Sequence, residues 1–317
     1  MKRMLLILST LLVALAPLPV LSAGEIVRDY PVQRVGQSGY VIVGPLGYPS
    51  VENQGFMNNP AWIVADGGVI VIDPGSSLQA GRMVMKRIRE TTDRPVTHVF
   101  ITHVHGDHWL GNHGITELYP DAVIMAHPEM IRRAHDGEGA HWVSLMSSAT
   151  EGFTDGTEAV IPRQAVDDSE TLQIHGKTFR IYAPGKAHSG TDIMIEYVDE
   201  SVLFTGDNVL YKRIARMDDG TFSGNIDACR LAIDIGASHY VPGHGPVGGI
   251  EVPTSFLAYL QTLYSEVERL YEEGLQAFEM KDPVVAKLVT YRDWVNFDDE
   301  VGRHISLAVL EAEQNAF

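Results

Sequence analysis

The chain of 317 residues is long enough for one large domain or two small ones, and its hydrophobic fraction of 45% excludes a disordered protein. Its formal net charge of −17 excludes a surface suited to nucleic acid or anionic lipid, because so acidic a surface repels both. A single cysteine, Cys229, excludes an intramolecular disulfide, and its amphipathic stretch NIDACRLAIDIGA favours a buried thiol over a reactive one.

The N-terminus has the pattern of a secretory signal. Two basic residues precede an apolar run from Met4 to Ala16, and small residues follow that run. The run is shorter than the roughly 20 apolar residues of a membrane-spanning helix, which favours a cleaved signal over an uncleaved anchor. We therefore expect removal of residues 1–23, leaving a periplasmic or secreted chain that starts near Gly24 and has no membrane attachment.

Strands and helices alternate in the first half of the mature chain. Segments rich in β-branched residues predict five strands: YVIVG (40–44), AWIVA (61–65), GVIVID (68–73), THVFI (97–101) and AVIMA (122–126). Helical spacing runs from Ser77 to Glu90. From Ile131 to Val166 the pattern weakens into an excursion of partly helical loops, which holds Trp142 and Met146. This excursion forms either a lid or wall over a site, or a plain surface loop.

The second half repeats the alternation and ends in helices. Four more strands are predicted: TLQI (from Thr171), TFRIYA (from Thr178), IMIEYV (from Ile193) and SVLFTG (from Ser201). A helix is expected over 225–235 and another from Thr254, broken at KDPV (281–284), with a last helix from about Asp298. The order predicts an α/β protein with two packed sheets and helices outside. We assign 24–250 to the main domain and 251–317 to a C-terminal helical extension.

Metal-binding side chains are concentrated in FITHVHGDHWLGN, directly after a predicted buried strand. His103, His105, Asp107 and His108 occupy four of six consecutive positions. Loops at strand ends hold functional side chains on a rigid scaffold. Alternate residues of an extended segment point the same way, so His103, His105 and Asp107 are predicted to face one side. His108 then faces elsewhere and is available to a second metal.

Three further candidate ligands follow predicted strands and lie in glycine-containing motifs. They are His188 in APGKAHSGTD, Asp207 in VLFTGDNV and His244 in YVPGHGP. A lone residue of this kind is commonly a structural turn residue. Three together, after a His-x-His-x-Asp-His cluster, favour a site for divalent metal with mixed nitrogen and oxygen donors.

These motifs, with VIVIDPGS upstream, resemble those of the metallo-β-lactamase superfamily and occur in that family's order over about 41–249. The resemblance implies an αββα sandwich whose metal site lies at the edge shared by the two sheets. It also implies that His103, His105 and His188 hold a first ion. A second ion would be held by Asp107, His108 and His244, and Asp207 would bridge the two. Asp73 matches the family's acidic residue at a strand end and is expected to orient the ligand loop. A turn-forming aspartate before Pro74 is compatible with that role.

Within the superfamily, an aspartate at position 207 is similar to the glyoxalase II type. The antibiotic-hydrolysing members have cysteine or a non-ligand at that position. The stretch GDNVLYKRIARMDDGTFSGNI, with VPGHGP, further resembles exported metallohydrolases associated with sulfur oxidation and quinoprotein systems.

The expected chemistry follows from this ligand set. Two zinc ions, or iron or manganese on the same donors, would lower the pKa of a bound water toward neutrality. Asp107 would orient that nucleophile and pass on its proton, giving hydrolysis of a small ester, thioester, lactone or amide. The alternatives are a persulfide dioxygenase with one iron, a β-lactamase, and a metal-binding protein without turnover.

Candidate substrate contacts follow Asp207 closely in the sequence. Tyr211 and Lys212, with Arg213 beside them, are placed to reach over the metals, and Tyr211 is a candidate donor to a developing oxyanion. The alternative is that these are ordinary residues of the rim.

Overall fold

The computed structural model describes residues 25–315, so the predicted signal at 1–23 lies outside the described residues. Within them, seven strands form the first sheet, in chain order across it: β1 (Val32–Val35), β2 (Gly39–Ile42), β3 (Ala61–Ala65), β4 (Gly68–Ile72), β5 (Val96–Phe100), β6 (Val123–Ala126) and β7 (Gln164–Ala165). The pairs from β1 to β4 are antiparallel, and those from β4 to β7 are parallel.

The second sheet has five strands: β8 (Thr171–Ile174), β9 (Lys177–Tyr182), β10 (Met194–Tyr197), β11 (Val202–Gly206) and β12 (His239–Pro242). Their order across the sheet is β12-β11-β10-β9-β8. Only the pair of β11 and β12 is parallel in this described sheet, so the carboxyl ends of these two strands lie side by side. Asp207 and His244 follow those two ends and are thereby brought together.

The described helices are α1 (Leu78–Thr91), α2 (Gly106–Trp109), α3 (Asn112–Thr116), α4 (Pro128–Arg133), α5 (Gly139–Ala149), α6 (Phe222–Ile235), α7 (Glu251–Glu272), α8 (Ala277–Lys287) and α9 (Phe297–Asn315). Helices α1 and α6 begin at hydroxyl side chains, which are common caps of helix N-termini. The Ser77 hydroxyl accepts a hydrogen bond from the Ala80 amide, and the Thr221 hydroxyl accepts one from Gly224.

The two sheets pack face to face, and each is covered by helices on its outer side. Along β4, Ile70 and Ile72 face the second sheet, while Val69 and Val71 face α1. This alternation explains why all of β4 is apolar, since a strand buried on both faces needs no polar side. On the far side, residues of β10 and β11 share a core with α6, α7 and α9. The predicted αββα sandwich with C-terminal helices is therefore confirmed.

The predicted helix break at KDPV was wrong. Helix α7 ends at Glu272, and Gly274 follows it with φ of +85°, a left-handed conformation that glycine adopts readily. Gln276 and Glu279 then form a reciprocal capping box that starts α8, and Pro283 lies inside that helix. Glycine and the cap set the boundary, while the proline removes one backbone hydrogen bond without ending the helix.

The excursion over 131–166 is more ordered than predicted. It contains the end of α4, a π-helical turn over Ala134–Glu138, all of α5 and strand β7. Among the described residues, no helix combines the length and apolar character of a membrane crossing. The domain division at residue 250 stays a prediction, and the helices beyond it share a core with the second sheet.

Candidate metal centre

The loop after β5 is extended only as far as His105. Helix α2 begins at Gly106, so Asp107 and His108 lie in its single turn. The prediction that Asp107 faces the same side as His103 and His105 was wrong, because the two-residue alternation of an extended chain ends where the helix starts. Asp107 instead groups with His108 and His244.

All seven predicted ligands meet at one edge of the sandwich. Their donor atoms form three overlapping groups, in each of which all atoms lie within 4.8 Å of one another: His103, His105 and His188; His103, His108 and Asp207; Asp107, His108 and His244. The structure thus brings together residues from four separate strand ends. That they bind metal stays a prediction, which the local geometry supports.

Asp207 lies between the two outer groups. One carboxylate oxygen, Oδ2, is 3.5 Å from His188 Nε2 and 3.4 Å from His244 Nε2. The other, Oδ1, is 3.3 Å from His108 Nε2. Its two oxygens therefore reach histidines of both groups, which is the arrangement that a bridging carboxylate requires.

Hydrogen bonds fix which nitrogen of each histidine faces the centre. His244 Nδ1 lies 2.8 Å from the Met57 carbonyl oxygen, and His105 Nε2 lies 3.0 Å from Asp219 Oδ2. A carbonyl and a carboxylate only accept, so these two nitrogens carry the protons. The opposite nitrogens, His244 Nε2 and His105 Nδ1, then present lone pairs to the cluster.

Asp73 also determines which ring nitrogens face the centre, for His103 and His108. Its carboxylate accepts hydrogen bonds from the Thr102 amide at 2.8 Å and from the Thr102 hydroxyl at 2.6 Å. It also accepts one from His108 Nδ1 at 2.8 Å. Because the Thr102 hydroxyl donates to Asp73, it accepts from His103 Nδ1, 3.0 Å away. Asp73 therefore orients two ring nitrogens toward the centre, as partners of metal ligands do.

Burial favours neutral His103 and His188, whereas the ionised carboxylates nearby favour a positive charge on His108. Burial lowers the pKa of His103 well below its usual value and that of His188 to about 3. Burial also lowers the pKa of His108, but the carboxylates around it outweigh that effect and raise it well above its usual value. Burial disfavours ionised Asp107 and Asp207, yet neighbouring histidines hold both pKa values low. The ionised carboxylates of Asp107 and Asp207 thus favour a positive charge between them, such as a bound cation.

The donor set fits a metal centre. His103 Nε2 is buried and has no hydrogen-bond partner among the described residues, which is costly unless a ligand binds it. Imidazole nitrogens and carboxylate oxygens that converge in a buried pocket are donors that zinc takes and that iron or manganese also accept. The predicted cofactor therefore agrees with the residues present.

A cavity of about 480 Å³ opens over the centre, and His105, Asp107, His188 and Asp207 lie in its lining. Helix α5 forms one wall of this cavity. Its contributing side chains are His141, Trp142, Leu145 and Met146. The excursion thus supplies a wall, and the alternative of a plain surface loop is excluded for this helix.

The predicted substrate contacts lie elsewhere. Among the described residues that line the cavity, Arg213 is present and Tyr211 and Lys212 are not. The Tyr211 ring packs against Trp294 with centroids 5.9 Å apart, and Lys212 Nζ lies 5.2 Å from the Tyr211 ring. Lys212 has φ of +63°, a turn conformation that separates the side-chain directions of 211 and 213.

Asp219, the partner of His105, was missed by sequence reasoning. It lies 114 positions from His105, within the quoted stretch over 206–226 but outside the ligand motifs, so no local pattern pairs the two. The hydrogen bond from His105 lowers the pKa of Asp219 to about 2. The repeated acid in MDDG was the available signal, but acidic pairs in loops are common.

Comparison with known proteins agrees with this geometry. The family model described as "Metallo-beta-lactamase superfamily" matches residues 54–244. A solved metallo-beta-lactamase from Pontibacter korlensis has the same fold, with a TM-score of 0.59 at 18% identity over 74% of this chain and 99% of that one. At that identity the likeness shows the fold alone.

Curated relatives include proteins named as thioesterases. An atrochrysone carboxyl ACP thioesterase of Emericella nidulans is 25% identical over 142 residues, 44% of this chain and 36% of that protein. The thioesterase pkgB of the same organism is 26% identical over 238 residues, 73% of this chain and 58% of that protein. The chain thus spans from about a third to about three fifths of the length of these relatives.

Proposed function

The chain belongs to the metallo-beta-lactamase superfamily, and from that premise we propose that it is a hydrolase with two zinc ions that cleaves a small acyl substrate, in first place a thioester. The observation that carries the proposal is Asp207, whose two oxygens face histidines of both ligand groups. The thioesterase names of the relatives support the choice of thioesters over esters, lactones and amides.

The residues of the chain supply positioning and proton transfer. The seven candidate ligands would hold the zinc ions, which would supply a bound water with a pKa near neutrality. Asp107, whose pKa is held low, is ionised at neutral pH and lies in the cavity lining, where it would accept a hydrogen bond from the attacking water and pass that water's proton to the leaving thiolate. Trp142 and Met146 on the wall exclude bulk water from the acyl group. This mechanism needs no nucleophilic serine or cysteine.

A substrate panel tests the proposed reaction. An aryl thioester, an aryl ester, a lactone and a cephalosporin are compared by kcat/KM, each with and without a chelator. We expect the highest kcat/KM on the thioester and loss of all turnover with the chelator. A kcat/KM of about 10⁶ M⁻¹s⁻¹ on the cephalosporin, within the range of efficient enzymes, with no turnover of the other substrates, would show a dedicated β-lactamase instead.

Export is a separate part of the proposal, supported by the basic and apolar pattern of residues 1–23. Intact-mass measurement on protein from the exported fraction tests it. We expect a chain that begins near Gly24, and a mass that retains residues 1–23 would contradict the proposed cleavage.

A further inference from the structure

Away from the metal centre, the cavity wall contains a buried cation. Arg213 lines the cavity and is only 3% exposed. Its Nε and Nη1 atoms are buried without hydrogen-bond partners, and within residues 25–315 no carboxylate lies within 4.0 Å of its guanidinium. Buried arginines are normally paired with an anion, so this guanidinium is prepared for a ligand that the chain itself does not provide.

The neighbouring groups do not neutralise Arg213. Its guanidinium lies 5.6 Å from the centroid of the Tyr48 ring, an attraction to the ring face that leaves the N–H donors unused. The Tyr48 hydroxyl donates to Glu300 at 2.5 Å. Asp218, also in the lining, is 2.7 Å from Arg303. Among the described residues, Glu300 keeps one buried oxygen, Oε2, without a partner, but that oxygen lies more than 4.0 Å from the Arg213 guanidinium and does not pair with it.

The C-terminal extension fixes the position of Arg213. On either side of it, the Ile214 amide donates to the Val295 carbonyl at 2.9 Å, and the Val295 amide donates to the Lys212 carbonyl at 3.0 Å. His304 Nε2 donates to the Ala215 carbonyl at 2.8 Å. Three hydrogen bonds from the extension thus hold the backbone of 212–215, which is the rigidity that a recognition site requires.

We propose that Arg213 is an anion-binding site for the substrate, taking a carboxylate or phosphate group remote from the scissile acyl bond. The proposal rests on the proposed function, because Arg213 and the metal centre share one cavity. A guanidinium binds either group through two parallel hydrogen bonds. The apolar wall of Trp142, Leu145 and Met146 suits the body of such a substrate, and a cavity of about 480 Å³ suits a small one. The substrate class is therefore an apolar acyl compound with an anionic end.

Equilibrium binding tests Arg213 without turnover. Zinc-loaded wild type, Arg213→Met, Arg213→Lys and Arg230→Met are titrated with glutarate and, separately, with inorganic phosphate. Arg230→Met is the matched control, since it removes the same charge from an exposed position paired with Asp227. Circular dichroism and thermal unfolding establish that each variant is folded.

We expect Arg213→Met to weaken binding of one anion by about tenfold or more, Arg213→Lys to weaken it less, and Arg230→Met to leave it unchanged. The anion that is affected identifies the group the site takes. Equal binding by wild type and Arg213→Met, or no binding by wild type, would overturn the proposal. If Arg213→Met does not fold, the test rests on Arg213→Lys. Lysine cannot make two parallel hydrogen bonds to one anion, so this variant must bind the anion more weakly than wild type.

A kinetic comparison then links the site to the substrate. The aryl thioester of glutaric acid carries a terminal carboxylate, and its carboxamide analogue is neutral and nearly the same size. We expect wild type to prefer the anionic thioester by about tenfold in kcat/KM and Arg213→Met to have a ratio near one. If zinc-loaded wild type cleaves neither thioester, the proposed function fails, whereas the binding titration still decides the role of Arg213.

Discussion

The metal centre and the C-terminal extension both contain a fully buried histidine, and their hydrogen bonds differ. His103 and His304 are each 1% exposed. His304 accepts from the Tyr259 hydroxyl at Nδ1, 2.9 Å away, and donates to the Ala215 carbonyl at Nε2. His103 is held only through Nδ1, and its Nε2 has no partner among the described residues. The two histidines are thus equally buried, but within residues 25–315 only His304 has a hydrogen-bond partner at Nε2.

This difference distinguishes a structural histidine from a predicted metal ligand. Burial lowers the pKa of both histidines, so both are neutral at pH 7. The protein saturates both nitrogens of His304, which ties α9 to α7 and to the loop after β11. Around His103 it leaves lone pairs that converge beside carboxylates. The following predictions test whether the two regions differ as described, from the largest expected effect to the smallest.

Asp107→Asn should have the largest effect. The amide keeps the size of the side chain but loses the charge that orients the nucleophile and accepts its proton, so kcat on the thioester should fall by about 10²–10⁴-fold. His304→Gln is the comparison variant: His304 contacts none of the predicted metal ligands, so kcat on the neutral carboxamide thioester, which does not use Arg213, should change by less than about threefold. A fall below tenfold for Asp107→Asn, with metal content intact, would remove Asp107 from its proposed role.

His304→Gln should instead lower stability, and the loss should depend on pH. Burial lowers the pKa of His304 to about 4, whereas an unfolded histidine has a value of about 6.5. As pH falls through this window, the unfolded chain takes up a proton that the folded chain refuses, so His304 destabilises the fold by up to about 3 kcal/mol. That contribution is absent above pH of about 6.5 and fully developed below pH of about 4.

Urea unfolding of wild type and His304→Gln at pH 7 and pH 5 measures this effect. At pH 7 the variant should be less stable, because one glutamine amide cannot reach both partners of the two ring nitrogens, and loss of one buried hydrogen bond costs about 1–3 kcal/mol. The gap should narrow at pH 5, since only the wild type carries the His304 penalty. A gap that widens at pH 5 would mean that His304 is not held neutral.

Asp219→Asn tests the outer partner of His105. An amide donates as well as accepts, so it no longer forces the proton onto His105 Nε2, and zinc affinity should fall by about 10–100-fold. Asp218→Asn is the matched control, because it removes the same charge one residue away and its partner is Arg303. Competition with a chelating dye measures both affinities. Equal affinities for the two variants would show that Asp219 does not orient His105.

Cys229→Ser should have the smallest effect on activity. The thiol is fully buried in the core, and burial raises its pKa well above its usual value, so it is inert at neutral pH. We expect kcat/KM on the thioester to stay within about twofold of wild type, in line with the usual effect of a substitution away from a site. Loss of turnover in a folded Cys229→Ser protein would point to cysteine chemistry and against a metal-dependent nucleophile.

The sequence was most informative where a local pattern determines the structure. Runs of β-branched residues located β3, β4 and β5, and the cluster beginning at His103 located the ligand loop. It was less informative where distant segments meet. The partnership of Asp219 with His105 depends on how the loop after β11 folds over the centre. Arg213 lines the cavity in place of Tyr211 and Lys212 because Lys212 has a positive φ and because Val295 binds the backbone on either side, and composition indicates neither.

Metal stoichiometry tests the central claim most directly. Elemental analysis of wild type, Asp207→Ala and Lys212→Ala, after dialysis against a series of buffered zinc concentrations, reports the number of ions per chain and their affinity. We expect two ions in wild type and in Lys212→Ala, and weaker binding of both ions in Asp207→Ala, because that carboxylate faces both ligand groups. Removing Asp207 should lower zinc affinity more than removing a hydrogen-bond partner of a ligand does, which costs about 10–100-fold. A wild type with one ion or none, or an Asp207→Ala protein that keeps two ions at unchanged affinity, would contradict the dinuclear centre.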